Sequence, residues 1–287
     1  MVGRGERARR VCPDRTHPRM TTVGAIVTRI VEQYRALKAT HGDEAELEIR
    51  LGSYGENGRF LPGVSKQVFE QLEMDMIDDP QLTMPCDTWS ETVDYHYSGA
   101  SGDPVRTRVS VDSQRMALDT VHITKTNVAR AVVGRVDMGD NDVARVCLSH
   151  EIPVTDPPAS CVPTHVRIKQ TKAFHDVRSG GMGLVWAYEL SRTWSGNTRA
   201  VVEHRQHMSE PIYEVECELI DASGAYTASV CNEDLADSVL AKSRALLGGD
   251  DRVEVTCVDE GGVLTKHETR RPRRGKRPCH QSHEEGA

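Results

Sequence analysis

A period of two constrains this chain more than any other feature. Short runs in which apolar residues alternate with polar ones recur through the middle of the sequence, each bounded by Gly, Pro, Asp or Asn. Successive side chains of a strand point to opposite faces, so such runs read as strands with one buried face. They fall at 45–51, 90–97, 104–112, 118–125, 130–136, 143–151, 164–174, 184–193, 200–207, 212–220 and 252–258. Strands this short and this numerous close into a barrel or stack as a sandwich, because either arrangement removes or protects unpaired edges. The fold class is therefore mainly β (α+β), an antiparallel sheet system with a few packed helices.

Helical spacing occurs in three places. Val23, Ile26, Val27, Ile30, Val31, Tyr34 and Leu37 share a face over 21–40 behind a Thr cap. Val68, Phe69, Leu72 and Met76 do so behind a Ser65 cap, and a third helix spans 233–247 behind an Asn232 cap. Residues 1–20 carry six Arg and residues 266–287 carry seven Lys and Arg, in both cases without periodicity. They read as a disordered basic arm and a disordered basic tail around one domain over 21–265. The formal net charge of −7 thus hides a more acidic middle, which argues against a plain nucleic-acid coat and suits a site that collects divalent cations. Eight cysteines without a C-x-x-C pair signal neither a zinc ribbon nor a disulfide framework. Reduced thiols, the lack of a secretory signal and the lack of a long apolar run predict an intracellular protein, nuclear or cytoplasmic, with no membrane partner.

The charges on the strands carry the chemistry. In Tyr213-Glu214-Val215-Glu216-Cys217-Glu218-Leu219 alternation puts three carboxylates in one row. Such a row repels itself and needs cations or water; a solvated outer face would also accommodate it. Glu46-Leu47-Glu48-Ile49-Arg50-Leu51-Gly52 repeats the pattern, with Glu46, Glu48 and Arg50 on one side and three apolar residues on the other. Were the two strands neighbours, four or five carboxylates would converge into a hard-oxygen site suited to Mg²⁺ or Mn²⁺. Arg106 and Arg108 share a face of a third strand, and Arg167 and Lys169 a face of a fourth; fixed Arg and Lys are the usual cradle for phosphate oxygens. Arg145 with Glu151, and Glu189 with Ser191, alternate in the same way. Together these strands describe a charged interior.

An E-x-E-x-R-x-G strand, then an R-x-K strand, then an E-x-E-x-E strand resembles, in composition and in order, the triphosphate tunnel metalloenzymes. The branch it most resembles is the fungal- and viral-type mRNA capping RNA 5′-triphosphatases. Pro62-Gly63-Val64-Ser65 followed by Phe69, and Ala187-Tyr188-Glu189-Leu190-Ser191 ahead of the last ladder, are similar to segments of that branch. The resemblance covers residues 21–250. It implies an eight-stranded antiparallel β-barrel tunnel that hydrolyses the γ-phosphate of 5′-triphosphate RNA, the first step of mRNA capping. It implies Mg²⁺ or Mn²⁺ as cofactor, held by Glu46, Glu48 and Glu218. Glu216 would hold the attacking water with Glu214 in support, and Arg108, Arg167 and Lys169 would grip the phosphates. Arg50, Arg106, Lys125, Arg145, Glu151, Glu189 and Ser191 would complete the tunnel wall.

One departure is visible: the family's third basic residue on the R-x-K strand is Thr171 here, and Lys172 falls on the wrong face unless a bulge intervenes. His150, His204 and His207 are read as surface or tunnel-mouth residues rather than ligands. Inorganic and nucleoside triphosphatases of the same fold share the ladders, and a non-catalytic polyphosphate-binding module would share the basic residues. A pure anion binder gains nothing from aligned carboxylates, which favours catalysis. The resemblance leaves open an mRNA guanylyltransferase partner, homodimerisation and a viral or cellular setting.

Overall fold

The computed structural model describes residues 22–98, 104–135, 143–155, 162–176, 186–220, 225–248 and 253–256. The expected arm at 1–20 and tail at 266–287 lie outside them. The chain begins with α1 (Thr22–His41), and a 3-10 turn (Gly42–Glu44) leads into β1 (Ala45–Tyr54). Then follow β2 (Phe60–Pro62), α2 (Lys66–Asp78), β3 (Leu82–Thr83), β4 (Ser90–Ser98), β5 (Pro104–Val111) and β6 (Ala117–Arg135). The second half holds β7 (Val143–Pro153), β8 (His165–Asp176), β9 (Trp186–Gly196), α3 (Arg199–Met208) and β10 (Ile212–Leu219). It ends with α4 (Ala225–Ser229), α5 (Asn232–Leu246) and β11 (Val253–Thr256).

Eight strands run β10-β9-β8-β4-β5-β6-β7-β1, every described pairing is antiparallel, and β1 pairs again with β10. That last pairing closes the barrel. Closure leaves no edge on these eight strands. The three remaining strands are appendages, β2 on β1, β3 on β8 and β11 on β6.

This barrel is apolar outside and charged inside. Leu47, Ile49, Leu148, Leu190, Val215 and Cys217 point outward and are buried under α1 and α5, which supply Val27, Val31, Tyr34, Leu235, Val239 and Leu240. A smaller core forms where Val202 of α3 covers Val93, Val166, Ile168 and Trp194. Burying the outward face under helices leaves the barrel interior as the place for the charged face.

The helices expected at 21–40 and 66–77 are present as α1 and α2, and the Ser65 hydroxyl accepts a hydrogen bond from the Val68 amide. The third helix is capped by Cys231 rather than Asn232, which is its first residue. Residues 200–207 are not a strand but the body of α3. Its N-terminus is capped by the Thr198 hydroxyl, and the adjacent Val201 and Val202 break period two. The runs 118–125 and 130–136 are one long strand, β6, joined through an irregularity in register between Asn127 and Ala129.

Candidate active site

Register makes the site. On β1 and β10 the apolar sets Leu47/Ile49/Leu51 and Val215/Cys217/Leu219 are buried outward, so the intervening residues must face in. Glu48 then lies directly opposite Glu218, and Arg50 opposite Glu216. Cross-strand pairs of this kind sit roughly 5 Å apart at Cβ, so the two ladders become one cluster. The interior is a cavity of about 820 Å³.

Carboxylates dominate one part of its wall. Glu46 is bonded to Lys125 and accepts from the Ser149 hydroxyl at 3.2 Å. Lys125 Nζ also stands 3.5 Å from Glu48 and 3.2 Å from Glu151. Glu48 is only 4% exposed and accepts from Arg50 Nε at 2.9 Å. Burial nevertheless raises the Glu48 carboxyl above its ordinary range, because Glu46 and Glu216 add to the penalty. Glu218 goes further: burial, then repulsion from Glu46, Glu189 and Glu48, pushes it up to about 8. Carboxyls driven up by burial and by each other's charge mark a place short of positive charge. The oxygen-only donor set Glu46, Glu48 and Glu218 therefore fits a hard divalent cation.

Cations occupy the rest of the wall, and four of them are paired with carboxylates. Arg108 Nε donates to Asp94 at 2.8 Å, Arg106 to Glu151 at 3.1 Å, and Arg167 to Glu214 at 2.7 Å. Lys169 reaches Glu216 at 3.1 Å and Glu189 at 3.3 Å. Burial works against the charge on Lys169, but Glu216, Glu189 and Glu214 outweigh it and hold the ammonium above its ordinary value. Burial likewise opposes the Glu216 carboxylate, and Arg50 with Lys169 outweighs that and holds it far below the usual range. Such a group stays an anion and an acceptor. The site is thus a lattice of compensated charges that an entering phosphate and cation could rearrange.

Of the residues singled out in the sequence, Glu46, Glu48, Arg50, Arg106, Arg108, Lys125, Arg145, Glu151, Arg167, Lys169, Glu189, Glu216 and Glu218 line this one cavity. Glu214 and Ser191 are in its wall but not on its surface. Glu214 is held by Arg167 and by the Thr193 hydroxyl at 3.0 Å, and the Ser191 and Thr171 hydroxyls share a hydrogen bond of 3.0 Å. Lys172 lies on the outer side, 2.8 Å from Glu73 of α2, so it does not replace the missing third cation. His204 and His207 are exposed on α3.

Sequence reasoning passed over Asp94 and His96, which alternate with Val93, Tyr95 and Tyr97 on β4 and were legible by period two. It also passed over a basic and aromatic mouth built from Tyr54, Arg59, Phe60 and Arg130 beside Arg145. There the Arg145 guanidinium lies 3.9 Å over the Phe60 ring, and Tyr54 meets Phe60 edge-on with centroids 5.8 Å apart.

A closed eight-stranded barrel with a tunnel of alternating acids and bases is the fold class these observations define. Among solved structures it is similar to the S. pombe Pct1 RNA triphosphatase in complex with the Spt5 CTD, at 17% identity and TM-score 0.55 over 80% of this chain and 95% of that one. It is similar also to a second structure of S. pombe Pct1 RNA triphosphatase, at 17% identity and TM-score 0.51 over 80% of this chain and 88% of that one. The chain therefore has the fold of a tunnel-type RNA triphosphatase. No protein-family model and no curated protein sequence matches it.

Proposed function

We propose that this protein is a metal-dependent RNA 5′-triphosphatase that removes the γ-phosphate from a 5′-triphosphate end. The observation that carries the reading is the pairing of Glu48 with Glu218 and of Arg50 with Glu216 inside a closed barrel, facing Arg108, Arg167 and Lys169. Glu46, Glu48 and Glu218 would hold Mg²⁺ or Mn²⁺, which when bound neutralises charge on the phosphoryl oxygens. Arg108, Arg167 and Lys169 grip the triphosphate. Glu216 is too firmly ionised to be a strong base at neutral pH; it accepts a hydrogen bond from the attacking water and fixes its line of approach. Glu214 acts on Arg167, whose guanidinium it orients. The product is inorganic phosphate and a 5′-diphosphate end, the form on which a guanylyltransferase would act in capping.

A tunnel-fold inorganic or nucleoside triphosphatase is the competing reading. The mouth favours a substrate with a nucleotide chain. The half-buried Tyr54 ring, backed by the buried Phe60, offers a surface for a base, and Arg59, Arg130 and Arg145 offer charge for phosphates beyond the triphosphate. Phosphate release from 5′-triphosphate RNA with Mn²⁺ or Mg²⁺, compared with ATP and tripolyphosphate, tests both readings. Metal-dependent release from RNA that vanishes in Glu48→Ala and Glu218→Ala is expected. A folded protein that releases phosphate from none of the three would end the enzyme reading.

A further inference from the structure

Outside the tunnel, where α1 ends and the chain turns into β1, three metal-ligating side chains from separate elements meet. His41 is the last residue of α1, Glu44 the last of the 3-10 turn, and His150 lies on β7 with its backbone paired to Ala45. His150 Nε2 is 2.9 Å from Glu44 Oε2, and His41 Nδ1 is 3.7 Å from the same oxygen. The two imidazole centroids are 4.2 Å apart, and the donor atoms all lie within 4.8 Å of one another. None of the three lines the tunnel.

We propose that His41, Glu44 and His150 form a second cation site, for a zinc-class transition ion. Zinc bonds to His nitrogen and carboxylate oxygen are about 2 Å long, so donors around a tetrahedral ion lie roughly 3.3 Å apart. The two measured contacts bracket that spacing. Two imidazoles and one carboxylate are a borderline donor set that selects Zn²⁺ or Co²⁺ over the hard ions suited to the tunnel. The turn is independently pinned, since Lys38 Nζ reaches Asp43 at 2.8 Å. Side-chain exposures of 39% at His41 and 35% at Glu44 leave a route for the ion and a position for a water ligand. Glu44 precedes Glu46 by two residues, so an ion here would tie the end of α1 and β7 to the start of the strand that carries the tunnel's first carboxylates. A plain hydrogen-bonded pair of His150 and Glu44 is the other outcome.

The test uses the full chain, stripped of metal and titrated with Co²⁺ by visible absorption and with Zn²⁺ by calorimetry. Wild type and Glu48→Ala are expected to give the visible bands of low-coordinate Co²⁺ with nitrogen ligands. His41→Asn and His150→Gln are each expected to lose them, with Zn²⁺ affinity at this site falling at least about tenfold. Bands that are absent from wild type, or unchanged in both histidine variants, would overturn the proposal. If His150→Gln does not fold, His41→Asn decides the question alone, because His41 is exposed.

Discussion

Lys169 shows what holds the interior together at the scale of single residues. Its side chain is 8% exposed and lies between Glu216 and Glu189, so each charge is tolerable only because the others are present. Lys169→Ala takes a cation from Glu189 and leaves Glu216 with Arg50, and should destabilise by roughly 3–5 kcal/mol, as breaking a buried pair does. Lys169→Ala combined with Glu216→Ala should recover part of that loss, and urea unfolding of the two single variants and the double variant measures the coupling. His96 gives the pH dependence. Burial is its largest influence, and Arg167, Arg106 and His165 add to it against Asp94, pulling it down to about 4 from 6.5. A histidine whose folded value is depressed stays neutral while the unfolded chain takes a proton. Its neutral form therefore favours folding above about pH 6.5, and that contribution is lost as pH falls toward 4. Unfolding free energy followed from pH 7 to pH 4 should decline less steeply in His96→Gln than in wild type. At this scale much of the site was legible, because Glu46, Glu48, Arg108, Arg167 and Lys169 follow from alternation alone. Lys172 too was placed outward by parity, and its partner Glu73 is where the structure has it.

Elements account for what was not legible. Period two finds an inward residue only while the ladder is regular, and β6 changes register between Asn127 and Ala129. Lys125 and Asn127 line the cavity before the irregularity and Arg130 and Val132 after it, so the inward set passes from odd to even positions. Arg130 was hidden by that change. Helix α3 was misread because a ten-residue segment with scattered charges offers little pattern, and its one buried side chain is Val202. Gly52 closes the E-x-E-x-R-x-G strand for a reason that belongs to the β1–β2 hairpin. A Cβ there would stand 2.3 Å from the Leu61 carbonyl oxygen and 2.6 Å from the Phe60 ring. Gly52→Ala must push β2 away, which should cost about 1–3 kcal/mol as other forced insertions do. It should also shift Phe60 from beneath Arg145. Thermal unfolding checks the first effect. If the mouth serves the nucleotide chain, kcat/KM for RNA should fall more than kcat/KM for tripolyphosphate; an equal fall in both would separate Phe60 from substrate choice.

At the scale of the whole molecule the closed barrel forces opposite charges to share one low-dielectric space, and this makes ligand binding a coupled event. An anion that enters alone must draw Arg108, Arg167 and Lys169 away from Asp94, Glu214, Glu216 and Glu189, leaving carboxylates uncompensated. A cation that enters alone must displace Lys125 from Glu46 and Glu48 and leave that ammonium to Glu151, which Arg106 already holds. Entering together, each supplies the charge that the other removes. Triphosphate and metal should therefore bind cooperatively, with tripolyphosphate affinity at least about tenfold higher in saturating Mn²⁺, a coupling of about 1.4 kcal/mol that must appear equally in Mn²⁺ affinity. Calorimetry in both orders, corrected for the complex that Mn²⁺ forms with tripolyphosphate in solution, measures it, and the coupling should vanish in Glu48→Ala and Glu218→Ala. Tripolyphosphate binding that is tight and indifferent to Mn²⁺ would mean that the acidic and basic halves of the tunnel work independently. The interlocking of Lys125 with Glu46 and Glu48, and of Lys169 with Glu216 on the neighbouring rung, argues that they do not.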